Sequence, residues 1–211
     1  VFVGGKLDSE NGELVNKTGT QITEFPNTMN LDYITSYEDF QLIAPSDQVK
    51  TCVVPCNPKT GRASTEVVYE SLPIRNGKVD ISDDESLCYV SVCNRHGVED
   101  KTIAVFRNLG IRKGAIASTI SHDSHNFTVA YRNEKDAMIA ADYLKNSGGG
   151  MCVALNGKVL AGLPLPVAGL MSFLPCKELV EQIENLQDAV EVVCESRNMM
   201  MRVAIISLTA T

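Results

Sequence analysis

The residues best suited to chemistry lie in one short run, Ser121-His122-Asp123-Ser124-His125-Asn126. The chain has only 3 histidines, and this run holds two of them. Imidazole binds metals and exchanges protons near neutrality, and a neighbouring carboxylate can fix its tautomer. On a straight strand side chains alternate between faces, so His122 would share a face with Ser124, and Asp123 with His125. A turn at Asp123-Ser124, both good turn formers, would instead gather His122, Asp123 and His125 at one tip. These three are the catalytic candidates, for proton transfer, substrate contact or an accessory metal. The competing reading is a polar loop whose backbone Ser121 and Asn126 satisfy. The third histidine, His96, follows Asn94 and Arg95 and precedes Gly97, at the end of a strand-like run. A polar triplet there can serve a site, because a rigid scaffold presents an exposed loop, or it can be a solvated turn. His96, Asn94, Ser124 and Asn126 are the substrate-binding candidates.

Other constellations are weaker. Arg112 and Lys113 before Gly114 fit a solvated basic turn better than an anion site. The run 147–150, Ser-Gly-Gly-Gly, lacks the Lys-Ser/Thr of a phosphate loop and reads as a helix stop. The 163–172 run is apolar, and Pro164 and Pro166 fix an extended shape suited to a subunit interface or a pocket wall. The 7 cysteines show no Cys-x-x-Cys spacing, so no zinc ribbon or redox pair is expected. They read as small reduced hydrophobes of a cytoplasmic protein.

The elements that must position these residues are mostly strands. Residues 1–16 read as a hairpin, 17–50 as a polar linker with a short helix near Ser36–Ile43, and the chain from Thr51 as strand-rich. Asn76-Gly77 and Asn156-Gly157 mark two hairpin turns. A helix is expected from Asn133, a cap, to the glycines at 148–150, with Ala137, Ala140, Ala141 and Leu144 on one face. A second amphipathic helix lies within 176–197, with Leu179, Val180, Ile183 and Leu186 as its stripe. Residues 201–208 read as a closing buried strand. The fold class is α+β, or mixed α/β: strand-rich sheets with two or more flanking helices.

Composition bounds the function. The net charge of −7 argues against a nucleic-acid partner, which usually demands a basic face. No apolar run approaches the ~20 residues of a membrane span. The first residues, lacking Met and starting inside an apolar run, read as the cut end of something longer.

Five segments occur in an order that resembles the C-terminal part of the adenine deaminases, metal-dependent hydrolases of the amidohydrolase superfamily. They are residues 1–15, Asn94 to Gly97, 110–126, Gly148 to Gly150, and 163–172. The resemblance runs from Val1 to about Ser172 and more loosely beyond. It implies hydrolysis of adenine to hypoxanthine and ammonia in purine salvage, by metal-activated water attacking the purine carbon that bears the amino group. It further implies that residues 1–16 are the last hairpin of a β-sandwich flanking a barrel, 17–50 a linker, and 51–211 the C-terminal α/β domain. The cofactor would be a divalent metal, manganese or iron, bound mainly by the barrel, whose His-x-His strand has no counterpart here. No metal ligand is assigned in this chain. His122, Asp123 and His125 would lie near the active site. The implied partners are adenine, the barrel and further copies in a homo-oligomer, with no membrane. On this reading the chain is inactive alone. The alternative is a structural or oligomerisation module without a direct catalytic role. The H-x-E and P-C-x-x-C signatures of the zinc nucleobase deaminases are missing.

Overall fold

The protein is described by a computed structural model over residues 1–15, 24–64 and 66–208. At the start, β1 (Phe2–Val3) pairs with β2 (Lys6–Leu7), and β3 (Ser9–Glu10) with β4 (Glu13–Leu14). Val1, Phe2 and Leu14 stay exposed on these two small hairpins. Residues 16–23, where the expected linker begins, lie outside the described residues. Beyond them a 3-10 helix, Tyr37–Phe40, follows a polar stretch that sends Met29, Leu31, Ile34 and Phe40 into the core.

The strands that follow are β5 (Thr51–Pro55), β6 (Val68–Glu70), β7 (Ile74–Arg75), β8 (Lys78–Val79), β9 (Leu87–Cys93), β10 (Lys101–Arg107), β11 (Ala115–Ser118), β12 (Phe127–Tyr131), β13 (Gly150–Leu155) and β14 (Lys158–Pro164). Strands β7 and β8 form the first expected Asn-Gly hairpin. The other eight build one sheet in the order β14-β13-β11-β12-β9-β10-β5-β6. Only β5 and β10 run parallel; the remaining pairs are antiparallel. At these two Asn-Gly turns both residues adopt positive φ, Asn76 54° and Gly77 73°, Asn156 53° and Gly157 76°, as they do at Asn11-Gly12 between β3 and β4. Such backbone matches the twist of the flanking strands.

Among the described residues three α-helices accompany the strands: α1 (Glu134–Ser147) between β12 and β13, and α2 (Cys176–Val193) and α3 (Met199–Ile205) after β14. Asn133 caps α1, accepting from the backbone N–H of Lys135 and Asp136, and Gly148 ends it at φ 77°. The strands alternate between two apolar clusters. Leu87, Tyr89, Ala117, Val129 and Tyr131 meet Ala137, Ala140 and Leu144 of α1. Cys88, Val90, Ile116 and Ala130 meet α2 and α3. Both faces of the central strands are therefore covered, which makes them apolar without a polar face. This is the α+β class expected.

Two element readings need correction. Residues 201–208 do not close the sheet as a strand. They belong to α3 and its terminal turn, where Met199 and Met200 and, one turn on, Val203 are buried in the cluster below the sheet. A short apolar run with β-branched residues suits either element, and packing decides. In α2 the buried stripe runs from Leu179 and Ile183 through Leu186 to Val190 and Val193, while Val180 is exposed.

Register brings several loops to one end of the sheet. Cys93 pairs with Phe127, Ser118 with Thr128 and Met151, and Gly150 with Pro164. The loops at 94–100, 119–126 and 165–172 thus emerge together.

Candidate functional site

The loop between β11 and β12 is tied down from inside. Ser121 Oγ lies 2.8 Å from Thr128 Oγ1 and 2.5 Å from Ser207 Oγ. The His122 N–H donates to the Ala204 carbonyl (2.9 Å), and the Ser207 hydroxyl donates to the His122 carbonyl (3.1 Å). The His125 N–H turns back to the Ser121 carbonyl (2.5 Å), and His125 has φ 50°. This fold of the chain breaks strand parity. The His122 and His125 rings come to 6.1 Å, inclined at 63°. Two buried atoms of the loop, His125 Nδ1 and Asn126 Oδ1, have no hydrogen-bond partner among the described residues.

The third histidine joins them. His96 Nε2 lies 3.0 Å from the Ser124 carbonyl oxygen. A carbonyl only accepts, so this contact requires the proton on Nε2. Asn94 sets the His96 loop: its Oδ1 accepts from the N–H of His96 (2.8 Å) and Val98 (3.3 Å). Its role here is local capping. Between them stands Arg95, only 2 % exposed. Its Nε donates to the His125 carbonyl (2.5 Å), Nη2 to the Ala168 carbonyl (2.9 Å) and Nη1 to Thr28 Oγ1 (3.4 Å). Arg95 has no carboxylate partner among the described residues, and burial draws its guanidinium below its ordinary range.

The 165–172 loop is held against the same centre. Thr119 Oγ1 donates to the Gly169 carbonyl (2.6 Å) and accepts from the Gly150 N–H (2.8 Å). The Leu165 N–H donates to the Gly149 carbonyl (3.0 Å). A Cβ on Gly149 would sit 2.5 Å from Gly169 Cα, so the close approach requires glycine. The three-glycine run is thus a helix stop at Gly148 and a packing surface beyond it.

Two openings flank the loop. His122 lines an apolar groove of about 390 Å³ between sheet, α2 and α3, with Ile120, Leu165, Leu170 and Met200 among its walls. Arg95 and His96 line a polar depression of about 490 Å³ with Asn30 and Asp32. Of the catalytic candidates, His122 and His125 come together. Asp123 is exposed at the tip and makes no side-chain hydrogen bond or ion pair among the described residues. Of the substrate-binding candidates, His96, Ser124 and Asn126 share the cluster. Arg95 is the residue that sequence reasoning passed over, although it stands in the motif. Its one signal is position, two residues past the end of a strand buried on both faces.

The donor set does not suit a catalytic metal. Among the described residues no group of three or more His, Cys, Asp or Glu is placed to hold one. The arrangement offers instead imidazoles that can hold or pass a proton, an amide oxygen awaiting a donor, and a buried cation fixing their backbone.

Comparison with known proteins gives the family. Residues 62–211 match the model of the adenine deaminase C-terminal domain. Adenine deaminase 2 of Carboxydothermus hydrogenoformans is 35 % identical over 99 % of this chain and 36 % of its own length. The adenine deaminase of Serratia proteamaculans is 34 % identical over 89 % of this chain and 31 % of its own length. That of Clostridium botulinum strain Langeland is 32 % identical over 99 % and 35 %. The chain therefore spans about a third of the length of the curated relatives it matches, and it belongs to the adenine deaminase C-terminal domain family.

Proposed function

We propose that this chain serves as the C-terminal domain of an adenine deaminase, a cytoplasmic purine-salvage enzyme that hydrolyses adenine to hypoxanthine and ammonia. The observation that carries the proposal is the family match over residues 62–211. The divalent metal, manganese or iron, would be held mainly by the other part of such an enzyme; in support, among the described residues no group of three or more His, Cys, Asp or Glu is placed to hold one. No step at the metal is assigned to this chain. Its contribution is the histidine loop. His122 and His125 contact the purine or hold a proton beside it, with Ser124, Asn126 and His96 shaping the approach. Asp123, exposed at the tip, is free to meet a group from the rest of the enzyme.

A second reading has its own support. Met171, Phe173, Val180 and Met201 are exposed apolar side chains. Exposed apolar side chains of this kind are what a subunit interface in a homo-oligomer would cover. The domain would then brace the enzyme without touching the reaction.

The test is reconstitution. The chain is fused behind, or mixed with, the part of the Carboxydothermus hydrogenoformans relative that it does not match. Hypoxanthine is followed with metal supplied. Turnover in the reconstituted enzyme and none from the metal-supplemented chain alone is the expected result. Turnover by the chain alone would refute the division of labour, and a reconstituted enzyme inert towards adenine would refute the assignment.

A further inference from the structure

Arg95 presents an unusual balance of forces. A fully buried guanidinium normally sits beside a carboxylate, because leaving water costs several kcal/mol per ion. Arg95 instead spends its donors on the backbone of two loops and one hydroxyl. The two carbonyls belong to His125 and Ala168, at φ 50° and 56°. Non-glycine residues at positive φ are strained by about 1–3 kcal/mol and persist only where their surroundings over-determine them. One buried side chain therefore grips two strained residues on separate loops. Gly169 completes the fit: a Cβ there would lie 3.1 Å from the guanidinium carbon and both terminal nitrogens.

We propose that Arg95 is the positioning residue of this site, locking the 119–126 loop to the 165–172 loop and thereby setting the place of the His125 ring. The planar fork suits this task, since it reaches two carbonyls in fixed directions, which a lysine ammonium on its flexible stem does not. The catalytic consequence rests on the deaminase reading above; the structural consequence stands without it.

Two measurements test the proposal. The chain has 3 histidines, so its imidazole NMR signals are few enough to assign by single His→Gln substitutions. Arg95→Lys retains the charge but loses the fork, and it is expected to shift or broaden the His125 signals. Gly169→Ala sets a methyl 3.1 Å from the guanidinium, so it disturbs the same fork even if Arg95→Lys fails to fold. The second measurement is a double-mutant cycle in the reconstituted enzyme. Arg95→Lys is expected to lower kcat about tenfold with KM less affected, and to lower it little further once His125→Ala is present. A bracing role elsewhere would instead give additive losses in the two backgrounds. Unmoved His125 signals in both variants, or additive losses, overturn the proposal. If the reconstituted enzyme is inactive, or His125→Ala leaves its kinetics unchanged, the deaminase reading fails; the His125 signals then decide by themselves whether Arg95 sets the ring.

Discussion

Cys56, Cys88, Cys93, Cys152 and Cys194 are buried, and burial pushes their thiols up, Cys56 to about 11 and Cys93, Cys152 and Cys194 to about 12. A thiol reacts as the thiolate, so these five are protected twice, by access and by protonation. Cys52 and Cys176 are exposed. A chromogenic disulfide reagent at mild alkaline pH is expected to modify Cys52 and Cys176 in the folded chain and all 7 cysteines after unfolding. Fast reaction of more than two in the folded chain would show that the clusters are open. Burial also explains why Arg95 was hard to see in the sequence. Arginine is rarely fully buried, so solvent is the default for one in a polar triplet. The histidines were legible because their chemistry is specific to their type. Their mutual approach was legible only as one of two outcomes of strand parity.

Side chains also link elements. Asp136 of α1 is 3 % exposed, and its carboxylate accepts the Gly157 N–H (2.7 Å) and the Asn156 N–H (3.2 Å) at the β13–β14 turn. Asp136→Ala removes two hydrogen bonds to a charged acceptor at this turn and should cost about 1–3 kcal/mol of stability, measurable by denaturant unfolding. A loss below a few tenths would mean the turn holds itself. Asp39 joins the 3-10 helix to β10. Burial alone would raise its pKa, but Lys101 at 2.6 Å and the N–H groups of Thr35 and Ser36 outweigh it and hold the carboxyl at about 2. Asp84 is held at about 2 by Ser86 and Arg107. A carboxyl depressed in the folded state stabilises above its unfolded pKa and loses that stabilisation as pH falls through the folded one. The two therefore contribute fully above about pH 4 and fade towards about pH 2. Asp39→Asn should flatten the fall of stability across that window, and an unchanged slope would count against the linkage. The sequence was most informative about elements with local signals: the Asn133 cap, the Gly148 stop and the two Asn-Gly turns. It misled at 201–208, where helix and strand share the same apolar composition. It also hid the burial of Leu31, which enters the core from an irregular polar segment, and of Phe40, whose four-residue 3-10 helix is too short to show a period.

At the scale of the molecule, the sheet is a platform covered on both faces, and its register delivers the 94–100, 119–126 and 165–172 loops to one end. Among the described residues no helix is long and apolar enough to cross a membrane. The sheet is a rigid platform that presents the histidine loop at one end, the kind of support that holds side chains in fixed geometry. The central claim is that this loop takes part in adenine deamination. The most direct measurement is kcat/KM for adenine in the reconstituted enzyme carrying His122→Ala or His125→Ala, with thermal unfolding followed in parallel. The expected result is a loss of tenfold or more, about 1.4 kcal/mol of transition-state stabilisation, with the unfolding midpoint little changed. Near-normal kinetics in both variants, or losses that merely track unfolding, would contradict the claim and leave the loop a structural turn.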